Sequence, residues 1–366
     1  MRRSRIRNAL AVAAAAFASL ALGHASASAR LSSATSVAVA PAATASPAST
    51  SSPTAAELLR QATRADDHIS YTGTTTSVIY NDHGADSTVV RVDHAAPSKW
   101  RMWYVAPADA YGRLIVSDEA TTYQYEPKTA TVYSEPWTQT PALTLDLDTA
   151  KVLKNYILDI GPSAAVAGRK AITITLVSKY NGVLAQRVWI DAQTRIVLER
   201  ETYDSDGTIS SKTSFDSIRF VSELPKDLFD LSVPAGMHVE PGTTYAKPVE
   251  SIDAIRSGVP FPIISPQYVP QGFTFDQASL GTRNGIQTVQ LLYTDGLRDF
   301  SLFENATDRL PDLVSPRQFD VDDTTGITDE IAGETLLSWN ANGLNITLVG
   351  DMPAKLLARI GASLRP

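Results

Sequence analysis

Tyr180-Asn181-Gly182, Asp191-Ala192-Gln193-Thr194 and Asp204-Ser205-Asp206-Gly207 divide the middle of the chain into four segments, near 170–179, 184–191, 195–204 and 208–220. Asn-Gly and Asp-Gly pairs tolerate the positive φ of tight turns and are the strongest short hairpin signals. Strands joined this closely pair antiparallel, because parallel pairing needs a long crossover. Upstream the same period of two recurs near 70–80, 86–94, 99–106, 111–118, 121–126 and 131–135. Asn81-Asp82-His83-Gly84, Ala106-Pro107-Ala108-Asp109 and Glu126-Pro127-Lys128-Thr129 supply the breaks.

Two helical patterns frame these strands. Thr54-Ala55-Ala56-Glu57 has capping-box spacing, and Leu58, Leu59, Ala62 and Ala65 follow as an apolar stripe. A second helix fits Leu147–Ile160, with Val152, Leu153, Tyr156, Ile157 and Ile160 on one face and Gly161-Pro162 as its stop. A sheet of about ten strands curls rather than staying flat. The expected fold class is α+β: a large curved antiparallel sheet, a half-barrel covered by helices over 54–242, followed by a smaller α+β domain over 271–366. Between them, 243–270 reads as a connector that Pro260, Pro262, Pro266 and Pro270 keep from regular pairing. In the smaller domain, strands fit 273–280, 286–293, 299–304, 316–321, 331–339 and 343–349. A last helix carries Leu356, Leu357 and Ile360, with Asp351 as its cap.

The N-terminus sets the compartment. Arg2, Arg3, Arg5 and Arg7 precede an apolar run from Ala9 to Leu22, then small-residue cleavage sites after Ala27 and Ala29. That is the layout of a secretory signal peptide over 1–29, with a run too short to span a bilayer. Residues 30–53 are almost entirely Ala, Ser, Thr, Val and Pro and read as a disordered tether. The mature chain is expected to be periplasmic or otherwise extracytoplasmic, without a transmembrane segment. The chain has no cysteine, which excludes disulfides and a lipoprotein anchor. Losing the four leader arginines takes the formal charge from −7 to −11, which argues against nucleic acid as a partner.

No catalytic constellation is present. There is no nucleophile elbow, phosphate loop, or histidine pair at metal-ligand spacing, so no catalytic residue, metal or cofactor is expected and the chain does not read as an enzyme. Asp204-Ser205-Asp206-Gly207 lacks the downstream ligands of a calcium loop and reads as a turn. The aromatics are more informative. Trp100, Met102 and Tyr104 alternate along one strand and Tyr123 and Tyr125 along another, with Tyr156 on the second helix. Such a face is either core packed against the helices or an apolar cavity for a lipid acyl chain.

Several stretches resemble the MucB/RseB regulators of envelope-stress sigma factors. They are Leu58-Leu59-Arg60-Gln61-Ala62 with His68-Ile69-Ser70-Tyr71-Thr72-Gly73, Val92-Asp93-His94, Tyr123-Gln124-Tyr125-Glu126-Pro127, Gly168-Arg169, Val188-Trp189-Ile190-Asp191 and Leu198-Glu199-Arg200. Further on, Tyr268-Val269-Pro270-Gln271-Gly272-Phe273, the run Tyr293 to Leu302, and Val349-Gly350-Asp351-Met352-Pro353 resemble that family's second domain. Leu224 to Gly236 resembles the close of LolA-like lipoprotein carriers, which share the half-barrel. The resemblance implies a non-enzymatic protein that binds the extracytoplasmic domain of a membrane anti-sigma factor and senses a lipid or lipoprotein in its large domain. Tyr293, Asp295, Leu297 and Phe300 would then belong to the partner surface. Independently of the resemblance, a proline-rich connector with few residues able to pair with either domain makes relative movement of the two domains the default expectation. The alternative is a lipid or lipoprotein carrier with no signalling partner.

Overall fold

The computed structural model describes residues 53–366 apart from 82–83, 119–120, 136–140, 232–236, 242–243, 284, 312, 314–315, 322 and 332–333. The leader, the tether up to residue 52 and the expected domain boundary at Gly242 lie outside the described residues.

The first element among the described residues is a helix, α1 (Ala55–Ala62). Its capping box is complete: the Glu57 N–H donates to Thr54 Oγ1 at 3.2 Å, and the Thr54 N–H donates to Glu57 Oε2 at 2.8 Å. A 3-10 turn at Ala65–Asp67 leads into the first sheet. Its strands are β1 (Ser70–Asn81), β2 (Gly84–Ala95), β3 (Lys99–Ala106), β4 (Leu114–Ser117), β5 (Thr122–Glu126) and β6 (Thr131–Glu135). After helix α2 (Thr149–Asn155) come β7 (Tyr156–Ile160), β8 (Ala164–Val166), β9 (Arg169–Ser178), β10 (Leu184–Asp191), β11 (Val197–Tyr203), β12 (Ile209–Val221) and β13 (His238–Pro241). The order is β13-β6-β5-β4-β3-β2-β1-β12-β11-β10-β9-β7, with β8 also on β9. Two meanders therefore meet where β1 pairs β12. At that seam a Cβ on Gly73 would lie 2.5 Å from the Ser217 carbonyl oxygen and 2.9 Å from the Phe215 ring, so only glycine fits without a shift.

The sheet is not purely antiparallel, because β13 returns to pair parallel with β6. The second helix is also shorter than its apolar pattern suggests. It stops at Asn155, and residues 156–160 pair with β9 as an edge strand. Ile157 and Ile160 are half exposed instead of sharing a buried helical face. Local chemistry favours this break. The β-branched pair suits a strand, and the Lys179 ammonium donates to the carbonyls of Leu153 (2.7 Å) and Lys154 (3.1 Å), ending the helix. Leu58, Leu59 and Val152 pack with Trp100, Met102, Ile174, Leu176 and Val188 into one apolar cluster, so both helices cover one face of the sheet.

The second sheet contains β14 (Thr244–Tyr245), β16 (Thr274–Arg283), β17 (Ile286–Thr294), β18 (Asp299–Asn305), β19 (Arg317–Val321), β20 (Thr324–Ile331), β21 (Glu334–Ala341) and β22 (Leu344–Gly350). Its order is β14-β16-β17-β18-β22-β21-β20-β19. Helix α3 (Ala354–Ala362) buries Leu357 and Ile360 in its core. The cap differs from expectation: Pro353 occupies the N-cap position and no side chain caps the helix. Strand β20 escaped the sequence reading, since Thr324-Thr325-Gly326 and Asp329-Glu330 dilute its alternation. Gly326 is required there, because a Cβ would lie 2.5 Å from the Ser338 carbonyl oxygen.

The connector is more regular than its prolines suggest. Thr244 and Tyr245 pair with β16, and Val249 and Ala278 exchange backbone hydrogen bonds of 2.8 and 2.9 Å. Two-residue strands β15 (Ser265–Pro266) and β23 (Leu364–Arg365) pair near the C-terminus. Pairing this short leaves room for proline beside it. Among the described residues no helix is long and apolar enough to cross a membrane.

Candidate functional site

Register divides the expected aromatic face. Trp100, Met102 and Tyr104 are buried on the helix-covered side, and Tyr156 joins the same cluster. Arg101 lies opposite Val116, which lies opposite Tyr123; Trp103 lies opposite Leu114, which lies opposite Tyr125. Since alternate residues point to opposite faces, Tyr123 and Tyr125 stand on the reverse side. Tyr123 is exposed there and Tyr125 half-buried. The six residues therefore do not form one lining. On the covered side Tyr71 meets Trp100, Phe215 and Phe220 edge to face, with centroids 6.4, 5.6 and 6.4 Å apart. Near Tyr104, a buried ion pair joins Arg113 Nη2 to Glu126 Oε2 at 2.7 Å. Burial pushes the Tyr104 phenol above its ordinary range, and the Arg113 charge partly opposes the shift.

Tyr293, Asp295, Leu297 and Phe300 are brought together, but inward. Tyr293 stacks on Phe300 with ring centroids 4.9 Å apart, and both are buried. Leu297 belongs to the apolar cluster of the first sheet. Asp295 Oδ1 accepts the N–H groups of Leu297 and Arg298, each at 2.8 Å, which closes the turn. Its Oδ2 accepts the Tyr156 hydroxyl, and its carbonyl accepts Asn155 Nδ2 at 2.7 Å. Gly296, at φ +102°, presses on α2 so closely that a Cβ would lie 2.6 Å from the Val152 nitrogen. Asp295 and Leu297 thus join the second sheet to α2 and the first sheet's core, whereas Tyr293 and Phe300 pack inside the second sheet's own core. Their apolar, turn-rich sequence looks the same for either use.

Other contacts continue the joint. Asn155 Nδ2 also donates to the Gly272 carbonyl at 3.1 Å, and the Tyr180 hydroxyl donates to Asn155 Oδ1 at 2.7 Å. Lys151 pairs with Asp276 at 2.7 Å, and Arg298 Nη2 donates to the Tyr203 carbonyl. Beside the joint lies a cleft of about 480 Å³, lined by both sheets, with Tyr156, Tyr180, Tyr268, Arg298, Arg359 and Met352 among its walls. Arg359 is exposed on α3, its guanidinium carbon 4.0 Å from the Tyr268 ring centroid. Of the expected lipid-lining residues only Tyr156 reaches this cleft; of the expected partner residues only Asp295 does. Tyr180, Tyr268 and Arg359 escaped the sequence reading. Each lies in a different local segment, and only the packing of the second sheet on α2 unites them.

Residues 54–233 match the family model described as the MucB/RseB N-terminal domain. No curated protein matches the chain. Among solved structures, it is similar to MucB in complex with MucA(peri), with a TM-score of 0.56 and 16% identity, covering 85% of this chain and 98% of that one. The MucA/MucB complex of Pseudomonas aeruginosa gives the same figures. MucB alone gives 0.53 at 17% identity, again covering 85% and 98%. Similarity at this identity extends the shared fold across both sheets.

Proposed function

We propose, from the match of residues 54–233 to the MucB/RseB N-terminal domain, that this protein is an extracytoplasmic regulator that binds the extracytoplasmic part of a membrane anti-sigma factor. It acts by binding, not catalysis, after its leader is cleaved. The carrying observation is the cleft between the sheets. It presents three tyrosines and two arginines, the residue types enriched at interface hot spots. A cleft of about 480 Å³ suits a short segment of a partner, not a folded domain. The structures of MucB with MucA support the reading through their shared fold.

Deleting the gene tests this in the host. Transcription from the promoter controlled by the cognate sigma factor should rise, and the wild-type gene should restore repression. A gene carrying Tyr180→Ser and Arg359→Glu should not. Unchanged transcription after deletion would overturn the regulatory reading and leave the lipid or lipoprotein carrier. For that carrier, an acyl chain would reach Trp100, Met102 and Tyr104 only by opening the core in which they are buried.

A further inference from the structure

His94 is completely buried, and both of its ring nitrogens face backbone carbonyls. Nδ1 lies 2.9 Å from the Lys99 oxygen and Nε2 lies 2.7 Å from the Asp66 oxygen. A carbonyl only accepts, so each contact needs an N–H on the ring. A neutral imidazole carries one N–H; only the imidazolium carries two. The ring also stacks on Trp100, with centroids 3.6 Å apart and planes 15° apart, an arrangement that favours a cation over an indole face. We propose that His94 is held as an imidazolium clamp that ties the 3-10 turn below α1 to the large sheet, and that this tie is released as pH rises.

Several groups among the described residues surround the ring. From the turn comes Asp66, whose carbonyl accepts from His94 and whose carboxyl oxygen accepts the Tyr71 hydroxyl at 3.3 Å. From β1 comes Tyr71, in register with His94, its ring centroid 5.2 Å away. Burial, reinforced by Asp66, holds that phenol well above its ordinary range, so it stays neutral. From β3 come Trp100 and the Lys99 carbonyl. The side chains that α1 buries, Ala55, Leu58, Leu59 and Ala62, are apolar, and Arg60 and Gln61 in its last turn are exposed. Beyond Tyr71 and Phe220 lies Arg169, engaged by Asp191 at 2.5 Å. On β2 itself, Asp93 contacts Thr72 and Arg101.

Two carbonyl acceptors favour the charged ring, while burial opposes it; the paired geometry indicates that the acceptors prevail. The sign follows. The folded state holds the proton more tightly than an unfolded histidine, which titrates at about 6.5. The clamp is therefore complete in mild acid and is lost as the folded ring deprotonates at higher pH. Deprotonation sets a nitrogen lone pair against a carbonyl oxygen, and one of the two ties must part. Whichever nitrogen keeps its proton, the ring no longer holds both β3 through Lys99 and the turn through Asp66, so the link from the sheet to the turn that carries α1 loosens. This device is independent of the identity of any partner.

Nitrogen–proton correlation spectra of the histidine rings in the mature chain test the proposal between pH 6 and 9. At pH 7 both His94 nitrogens should bear protons. Over the pH range in which that signal disappears, hydrogen-exchange protection of the His68 and Ile69 amides should fall at least tenfold. Both amides donate to the Ala65 carbonyl in the same turn. His94→Phe should abolish that pH dependence. A neutral tautomer at pH 7, or protection unchanged through ring deprotonation, would overturn the clamp. If His94→Phe does not fold, the wild-type ring spectrum still decides.

Discussion

Strands β3 and β5 carry the same kind of pattern and put it to opposite uses. Trp100, Met102 and Tyr104 on β3 point under the helices, whereas Tyr123 and Tyr125 on β5 point away from them. Alternation says which residues share a face; only register with the neighbouring strands says which face it is. The reverse side is not bare. Val116, Val132 and Phe229 are buried outside both main clusters, and the turn at 226–229 packs near β3. The chain therefore spends aromatic residues on a deep core and on a thin outer cover, and their mutational costs should differ sharply.

The largest effect is expected at the deep face. Trp100→Ala leaves a cavity beside Tyr71 and His94 and should destabilise the protein by roughly 3–5 kcal/mol in chemical denaturation. Tyr123→Ser should stay within about 0.5 kcal/mol. Similar losses at both sites would erase the distinction between the faces.

The joint comes next. Asp295→Ala removes the acceptor of Tyr156 and of two turn N–H groups. A loss of about 1–3 kcal/mol is expected for stranding such donors. If the two sheets act as one body, a single unfolding transition should also split into two in the variant. A single transition in both proteins would place the coupling elsewhere.

A pH-dependent effect separates the two cores. Glu304 is buried in the second sheet, where burial lifts its carboxyl to about 8, and Oε2 accepts the Ile264 N–H at 3.0 Å. The unfolded chain ionises near 4.5 and so binds fewer protons than the folded chain between those values. Stability should therefore fall as pH rises from about 4.5 to about 8. Glu304→Gln should flatten that slope and raise the melting temperature most at the alkaline end. An unchanged slope would mean that the carboxyl does not titrate with folding.

Much of the fold was legible because turn chemistry is local. The capping box at Thr54, the Asn-Gly and Asp-Gly hairpins and most strand limits follow from neighbouring residues. The exceptions depended on distant partners. Residues 156–160 are apolar enough for either helix or strand, and β9 decides between them. The connector pairs because β16 offers an edge. The candidate cleft was hardest to read. Its walls come from separate hairpins, the connector and α3, and within the turn at 293–298 the sequence does not separate Asp295 and Arg298, which line the cleft, from Tyr293 and Leu297, which are buried in the two cores.

Calorimetry of the mature protein with the purified extracytoplasmic segment of the host's membrane anti-sigma factor tests the central claim. The account predicts one-to-one binding, weakened about thirtyfold or more by Tyr180→Ser with Arg359→Glu and unaffected by Tyr123→Ser. No binding by the wild-type protein, or equal binding by the double variant, would contradict it.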